Sequence, residues 1–493
     1  MIRFQFASGD YMDIAKNASL QLAGDNPIFN IGSIPGERIY TFKVLNTPNN
    51  QRNLGWQELL NLTSKVKTVE NVSCFIHKHL WKKGSIRVKK ASDNGYDLSF
   101  HVDTASIALQ IKNKTMPGVN LGNDPLLTTI SDASIYPAVN HILLPVWNPL
   151  FYGDTNSEFS GIVNDFENEL LANSNSAGNR TKHTVVPFPY LLYVLDRLFK
   201  SLGYYGISGT WTENEDIRRV AIYNTYALDD LDANGVNTFG TTVTYSNHMP
   251  NIGIGKFLVE VGLAFGIQYD VDTDTNTILI SEMKEVFQNQ DYLDFAGRSS
   301  AIYNVTPNDY EGIRFQQIAD SVDSLFESDK SWMKVDEGDT KERIELGTAP
   351  LLMSTSGDGL NKTIPKALQE GISAPFDLQN EKTASLRFII FKGMVNSGFS
   401  YPQGHYENDN ISLRPGGATG IVNRLYRDYI DFKTQTEEVT RDLRMTPPEF
   451  FTFNFKRKLM TNQMKYLVKS YKAKITKDRG LQPVSCTLMK TIY

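Results

Sequence analysis

Cysteine is nearly missing from this chain: there are two in 493 residues, Cys74 and Cys486, at opposite ends. Two distant thiols exclude a disulfide framework and fit folding in a reducing compartment. Long hydrophobic runs are missing too. No uninterrupted apolar stretch approaches the roughly 18 residues that a membrane-crossing helix needs. The opening Met-Ile-Arg-Phe-Gln-Phe-Ala-Ser-Gly-Asp has no apolar secretory core and alternates like a strand, so no signal peptide is expected. Neither charge sign dominates: 50 Lys and Arg against 55 Asp and Glu leave a net −5. That balance argues against nucleic acid or a membrane as the main partner.

Catalytic signatures are equally scarce. The chain has no GxSxG, no HExxH, and no Cys with an attendant His in a recognisable frame. Acidic groups such as Glu158 with Asp165, or Asp229, Asp230 and Asp232, fall in polar stretches that do not fix the carboxylate spacing of glycosidases. Asp270-Val-Asp272-Thr-Asp274-Thr-Asn276 opens like a calcium loop, but the sixth position is Thr275 instead of Gly and the twelfth is Ser281 instead of Glu. It suits a hairpin turn better. His77 and His79 share a strand face by parity, as two metal ligands could, with Cys74 on the opposite parity and no further ligand nearby. Arg414-Pro-Gly-Gly-Ala-Thr-Gly420 resembles a phosphate loop only in its glycines, lacks the Lys-Ser/Thr, and is better read as a turn into a helix. No catalytic, metal or cofactor residue is assigned, and the chain is not expected to be an enzyme.

What the chain does have is core and β material. Apolar residues make up 41% against 21% charged, enough for packed interiors. Aromatics reach 11%, with 23 Tyr and 27 Phe, which leans toward β-rich domains and wide contact surfaces. The length suits roughly three or four domains. The class expected is α+β, β-rich and multidomain. Residues 1–130 read as a β-rich domain with strands near 2–7, 20–22, 38–44, 73–81, 85–90 and 96–102, a hairpin turn at Asp93-Asn94-Gly95, and a short helix at 55–62. Residues 131–184 are a polar connection, with an Asn/Ser/Gly run at 173–179. Residues 299–384 are β segments with long loops, 327–342 and 354–384 among them. Residues 385–493 form a β domain with one helix over 420–431, for which Thr419 is the expected N-cap.

Residues 185–298 carry an internal repeat of strand–helix–strand–strand. In the first copy a helix from about Pro189 to Leu202 ends at Gly203, followed by strands at 204–210 and 220–223 around a turn at 212–216. In the second a helix from about Gly255 to Phe265 ends at Gly266, followed by strands at 267–271 and 277–281. Leu191, Leu192, Leu195, Leu198, Phe199 and Leu202 make a helical stripe, as do Leu258, Val261 and Phe265. A Gly just past each apolar helix fits a left-handed C-terminal cap. Charge is uneven as well: residues 151–300 hold 20 acids and 9 bases, while 424–493 hold 15 bases and 7 acids. Such ends can meet complementary surfaces.

Three stretches together resemble a family. Asn26-Pro-Ile-Phe-Asn-Ile-Gly-Ser-Ile-Pro-Gly-Glu-Arg-Ile-Tyr-Thr-Phe, with Asn46-Thr-Pro-Asn-Asn, looks like the start of structural proteins in phages of Bacteroidota hosts. The repeats, with Leu198-Phe and Gly203-Tyr, and Ala264-Phe-Gly-Ile-Gln-Tyr, are similar to small αβ modules of phage tail hub proteins. Tyr466-Leu-Val-Lys-Ser-Tyr, Gly480 and Cys486-Thr-Leu resemble the end of those hubs' tube-like β domain. The resemblance implies tail-tube-like β domains and a homo-oligomeric ring, commonly a trimer. The ring would link the tail tube and tape-measure end to spike or fibre proteins, in a virion assembled in the host cytoplasm, with DNA at most transient in a lumen and no membrane contact. It implies no catalytic residues. An alternative is a host-glycan-binding adhesion protein of the same particle.

Overall fold

The computed structural model describes the chain except for residues 1, 16–18, 30, 32–37, 62–67, 77–78, 103–106, 109, 154–158, 171–183, 232–236, 273–274, 309, 328–330, 340, 357–360, 373–383, 397, 399, 477–479 and 492–493. It is an α+β, β-rich architecture of several sheets. The strands that matter here, in chain order, are β1 (Ile2–Gln5), β2 (Ser19–Asp25), β3 (Arg38–Val44), β4 (Thr68–Ile76), β5 (His79–Ser92), β6 (Gly95–Val102), β7 (Ile207–Ser208), β8 (Val220–Tyr223), β9 (Ile267–Asp272), β10 (Thr277–Glu282), β11 (Ser299–Thr306), β12 (Arg387–Asn396), β13 (Glu438–Leu443), β14 (Met464–Thr476) and β15 (Val484–Lys490).

The two ends of the chain build one sheet. Its path runs β1-β4-β5-β6-β3-β2-β14-β15-β13-β11, and three shorter strands attach beside it for thirteen in all. The join is β2 on β14, antiparallel from Ser19 opposite Thr476 to Asp25 opposite Ser470. Alternation makes the join specific. Leu20 and Leu22 lie opposite Ile475 and Ala473, and all four are buried in one core with Phe4, Phe100 and Leu488. A bulge at Lys469 keeps that face continuous. Val468 and Tyr471, three residues apart, both point into this core, opposite Leu488 and Cys486, which are two apart. Leu467 and Met489 therefore face the other way, where they pack with Tyr429 and Phe432 of the helix Arg427–Gln435.

The start of the chain is held by one amide. Thr47 caps the helix Pro48–Leu54, and Gly55 ends it in a left-handed conformation. The helix expected at 55–62 thus lies one segment earlier, because Pro48 suits a first helical position and Gly55 suits a terminator. Asn50, fully buried, accepts from the Asp13 N–H and donates to the Asp13 and Leu45 carbonyls, tying three segments together.

In the middle, helices Leu191–Ser201 and Ile254–Phe265 bury their stripes in the largest core. The second copy of the repeat is a true hairpin, β9 on β10 from Ile267 opposite Glu282 to Asp272 opposite Thr277. The first copy is built differently. β7 pairs in parallel with β10, and β8 pairs with β12. Two short helices, Thr210–Glu213 and Glu215–Arg218, stand where a turn was expected. The sequence shares the helix and its glycine but not the hairpin, since Trp211 and Ile217 are buried and anchor those turns inward.

Residues 327–342, expected to be a loop, hold a strand, Lys334–Gly338. With the strand Lys341–Leu346 it flanks Gly312–Gln317 in a three-stranded sheet. Its charged composition is a solvent face of cross-strand pairs: Arg314 lies opposite Asp336 at 2.6 Å, and Lys334 reaches the same carboxylate at 2.8 Å. Those partners hold the Asp336 carboxyl down at about 2. The run at 173–179 lies outside the described residues.

Candidate assembly surface

Among the described residues, no group of three or more His, Cys, Asp or Glu is placed to hold a metal ion. Asp270 and Asp272 end β9. The Asp272 carboxylate accepts from the Thr275 N–H and Asn276 takes a positive φ, so the segment serves as the turn of the β9–β10 hairpin. Asp274, His77, Glu158 and Asp232 lie outside the described residues, as do the side chains of His79, Asp229 and Asp230. Asp165 forms a buried ion pair with Lys362 at 2.7 Å. The glycine-rich stretch at 414–420 closes on itself. The carbonyls of Arg414 and Pro415 accept the N–H groups of Ile421 and Val422, so the first donors of the following helix are capped by their own loop. Thr419 is not the cap; that helix begins with a π-turn at Val422–Tyr426.

Two interior networks of charged and polar groups are closed by partners. Arg387 and Asp323 form a fully buried ion pair at 2.6 Å, and Arg387 also donates to the Pro350 carbonyl. His141 accepts the Leu127 N–H at Nε2, which places its proton on Nδ1 facing the Tyr245 hydroxyl at 2.9 Å. That hydroxyl donates to Asp124 at 2.7 Å. Burial pushes His141 down to about 4 and His248 to about 3. Both are neutral structural histidines.

The surface is less complete. β11 closes one end of the large sheet and, among the described residues, pairs only with β13 and has no strand along its outer row of backbone N–H and C=O groups. Residues Ala301–Thr306 are exposed on both faces of the strand, not in alternation. Ile302 is 82% exposed, Tyr303 53% and Val305 46%. Tyr292, Tyr310 and Ile318, also exposed, flank it in sequence. Behind it Arg441 lies under the Tyr303 ring and donates to the Ser300 carbonyl, fixing the strand to the sheet. The opposite end is treated differently. Residues 6–12 fold back over β1, with Met12 donating to the Phe4 carbonyl and Gln5 bridging Tyr11, so that edge is covered by its own chain. Bare apolar edges are the ones natural sheets normally avoid. The strand at 299–306 was not legible as an element. Its signal was Ile302, Tyr303 and Val305, three β-formers close together between polar residues.

No protein-family model matches the chain, and no curated protein matches it. Among solved structures it is similar to the 43 kDa tail protein of prophage MuSo2 from Shewanella oneidensis, at 9% identity, with 99% of this chain and 95% of that one covered and a TM-score of 0.38. It is also similar to the prophage tail protein gp18 from Listeria monocytogenes EGD-e, at 8% identity, 99% and 94% coverage and a TM-score of 0.37. A third is the tail protein from Neisseria meningitidis MC58, at 8% identity, 100% and 96% coverage and a TM-score of 0.37. Likeness at this level is loose, and the chain's own geometry has to carry its function.

Proposed function

We propose that this chain is a structural subunit of a bacteriophage tail, working as a distal hub or baseplate ring that joins the tube to spike or fibre proteins, and that it acts by self-association rather than by catalysis. One observation carries the reading: β11, an eight-residue edge strand bearing Ile302, Tyr303 and Val305 in the open. Such an edge gains both ladder hydrogen bonds and apolar burial only when another strand lies along it. When the receiving surface is a different patch on an identical copy, the contact is head-to-tail and closes into a ring if the rotation allows. The Tyr-Leu-Val strand that resembles the tube-like end of hub proteins is β14, which ties the N-terminal strands to the C-terminal ones in a single sheet. A rigid sheet spanning both termini suits a wall that bears load between neighbours.

The reading gives the chain a place in the virion, with assembly in the host cytoplasm, and partners in itself, the tube, the tape measure and spike or fibre proteins. Light scattering with negative-stain microscopy of the purified protein tests it. Rings are expected, and Ile302→Lys with Val305→Lys is expected to convert them to folded monomers that keep the wild-type circular dichroism spectrum. A wild-type protein that stays monomeric at high concentration overturns it.

A further inference from the structure

The net charge of −5 conceals a segregated distribution. The large sheet has one face in its core, and on the other, away from Leu467 and Met489, polar side chains gather. On the polar face, between β5 and β14, register places Lys474 beside Gln21, Thr476 beside Ser19, Arg87 beside Ser99, and Asp97 between Lys43 and Lys90. Lys472 stands one position along, beside Ala23 and Ser485. Lys43, Lys90, Lys472 and Lys474 are exposed and Arg87 is half-buried. None of the five joins an ion pair among the described residues; the pairs made by these strands are Lys469 with Glu438 and Lys490 with Glu437, at the other end of β14 and β15. In these rows the described carboxylates are Asp97 and, on the far side of Ser485 from Lys472, Asp442. Five strands, four steps apart at about 4.8 Å, make the field roughly 19 Å wide.

We infer that this face binds the phosphate backbone of a nucleic acid, without reading its sequence. The choice of partner follows from what the patch contains. Protein docking sites need an aromatic or aliphatic anchor at their centre. The described side chains of these rows offer no exposed large apolar residue; Leu45 just after β3 and Leu80 at the start of β5 border the field, and the other exposed ones lie elsewhere, on β11 and after the first helix among other places. Backbone phosphates need only cations and small donors, which Lys43, Lys472 and Lys474 with Ser19, Gln21 and Thr476 supply. Lysines act as point charges and lack the fork that reads a base edge. The inference stands independently of ring assembly, since β11 lies beyond β15 and β13 from the field.

The test is fluorescence anisotropy with a labelled duplex of arbitrary sequence. Binding is expected at 50 mM salt. With about four phosphates neutralised, it should weaken about 50-fold by 150 mM. Lys43→Glu, Lys472→Glu and Lys474→Glu together should lose more than tenfold in affinity while melting as the wild type does, because all three side chains are exposed. Lys200→Glu, the same charge change on the helix at 191–201, should bind normally. Absence of binding at 50 mM salt overturns the inference. So does a triple variant that binds like the wild type, or displacement of the duplex by polyglutamate as effective as by unlabelled DNA, which would mark a site for acidic protein instead.

Discussion

Single residues hold this molecule where three segments cross. Asn50 uses both ends of its amide inside the protein, so Asn50→Ala strands the half-buried Asp13 and Leu45 carbonyls and the Asp13 N–H. A loss of about 2–3 kcal/mol is expected, read as a lowered denaturant midpoint. His141 gives a pH signature. Its folded pKa, about 4, lies below the ordinary 6.5 because burial disfavours the imidazolium. Above pH 6.5 the group is neutral in both states and adds no pH dependence. As pH falls from 6.5 toward 4 the unfolded chain takes up the proton first, so stability is lost across that window, by up to roughly 3 kcal/mol. His141→Asn should flatten the fall in melting temperature between those pH values. An unchanged slope would mean that the ring is protonated in place.

At the scale of elements, the helix–glycine part of the repeat was legible and the strand pairing was not. Gly266 takes a φ of +56°, and a Cβ there would sit 2.8 Å from the Leu425 Cβ. Gly266→Ala should therefore cost about 1–2 kcal/mol from the backbone alone, more with the clash, by thermal melting. Gly203, past the first helix, has no such neighbour, and its φ of +93° alone requires glycine. Periodicity could find both helices because a stripe such as Leu191, Leu195 and Leu198 is local. It could not show that β7 crosses to β10 or that β8 joins β12, since those partners lie 70 and 170 residues away in approximate sequence terms and pairing is set by burial rather than by neighbours. The charged stretch at 334–338 misled for a related reason: its acids and bases satisfy one another across strands, which composition reads as solvent exposure.

For the whole molecule, the sequence showed strands at both ends but not that they form one sheet. Seven paired positions between β2 and β14 join residues about 450 apart. That closure turns two sets of strands into a single wall, covered at the β1 end and bare at β11. It also gathers Lys43, Lys90, Lys472 and Lys474 onto one face, a cluster that no local window contains. The charge asymmetry along the chain was visible; its segregation by face was not. The central claim is that β11 is completed by another copy of this chain. Multi-angle light scattering of the full chain across a concentration series tests it most directly. The account predicts a closed oligomer that persists on dilution and falls to single chains when Ile302 and Val305 become lysine. A single chain at every concentration, or an oligomer indifferent to those two substitutions, would contradict it.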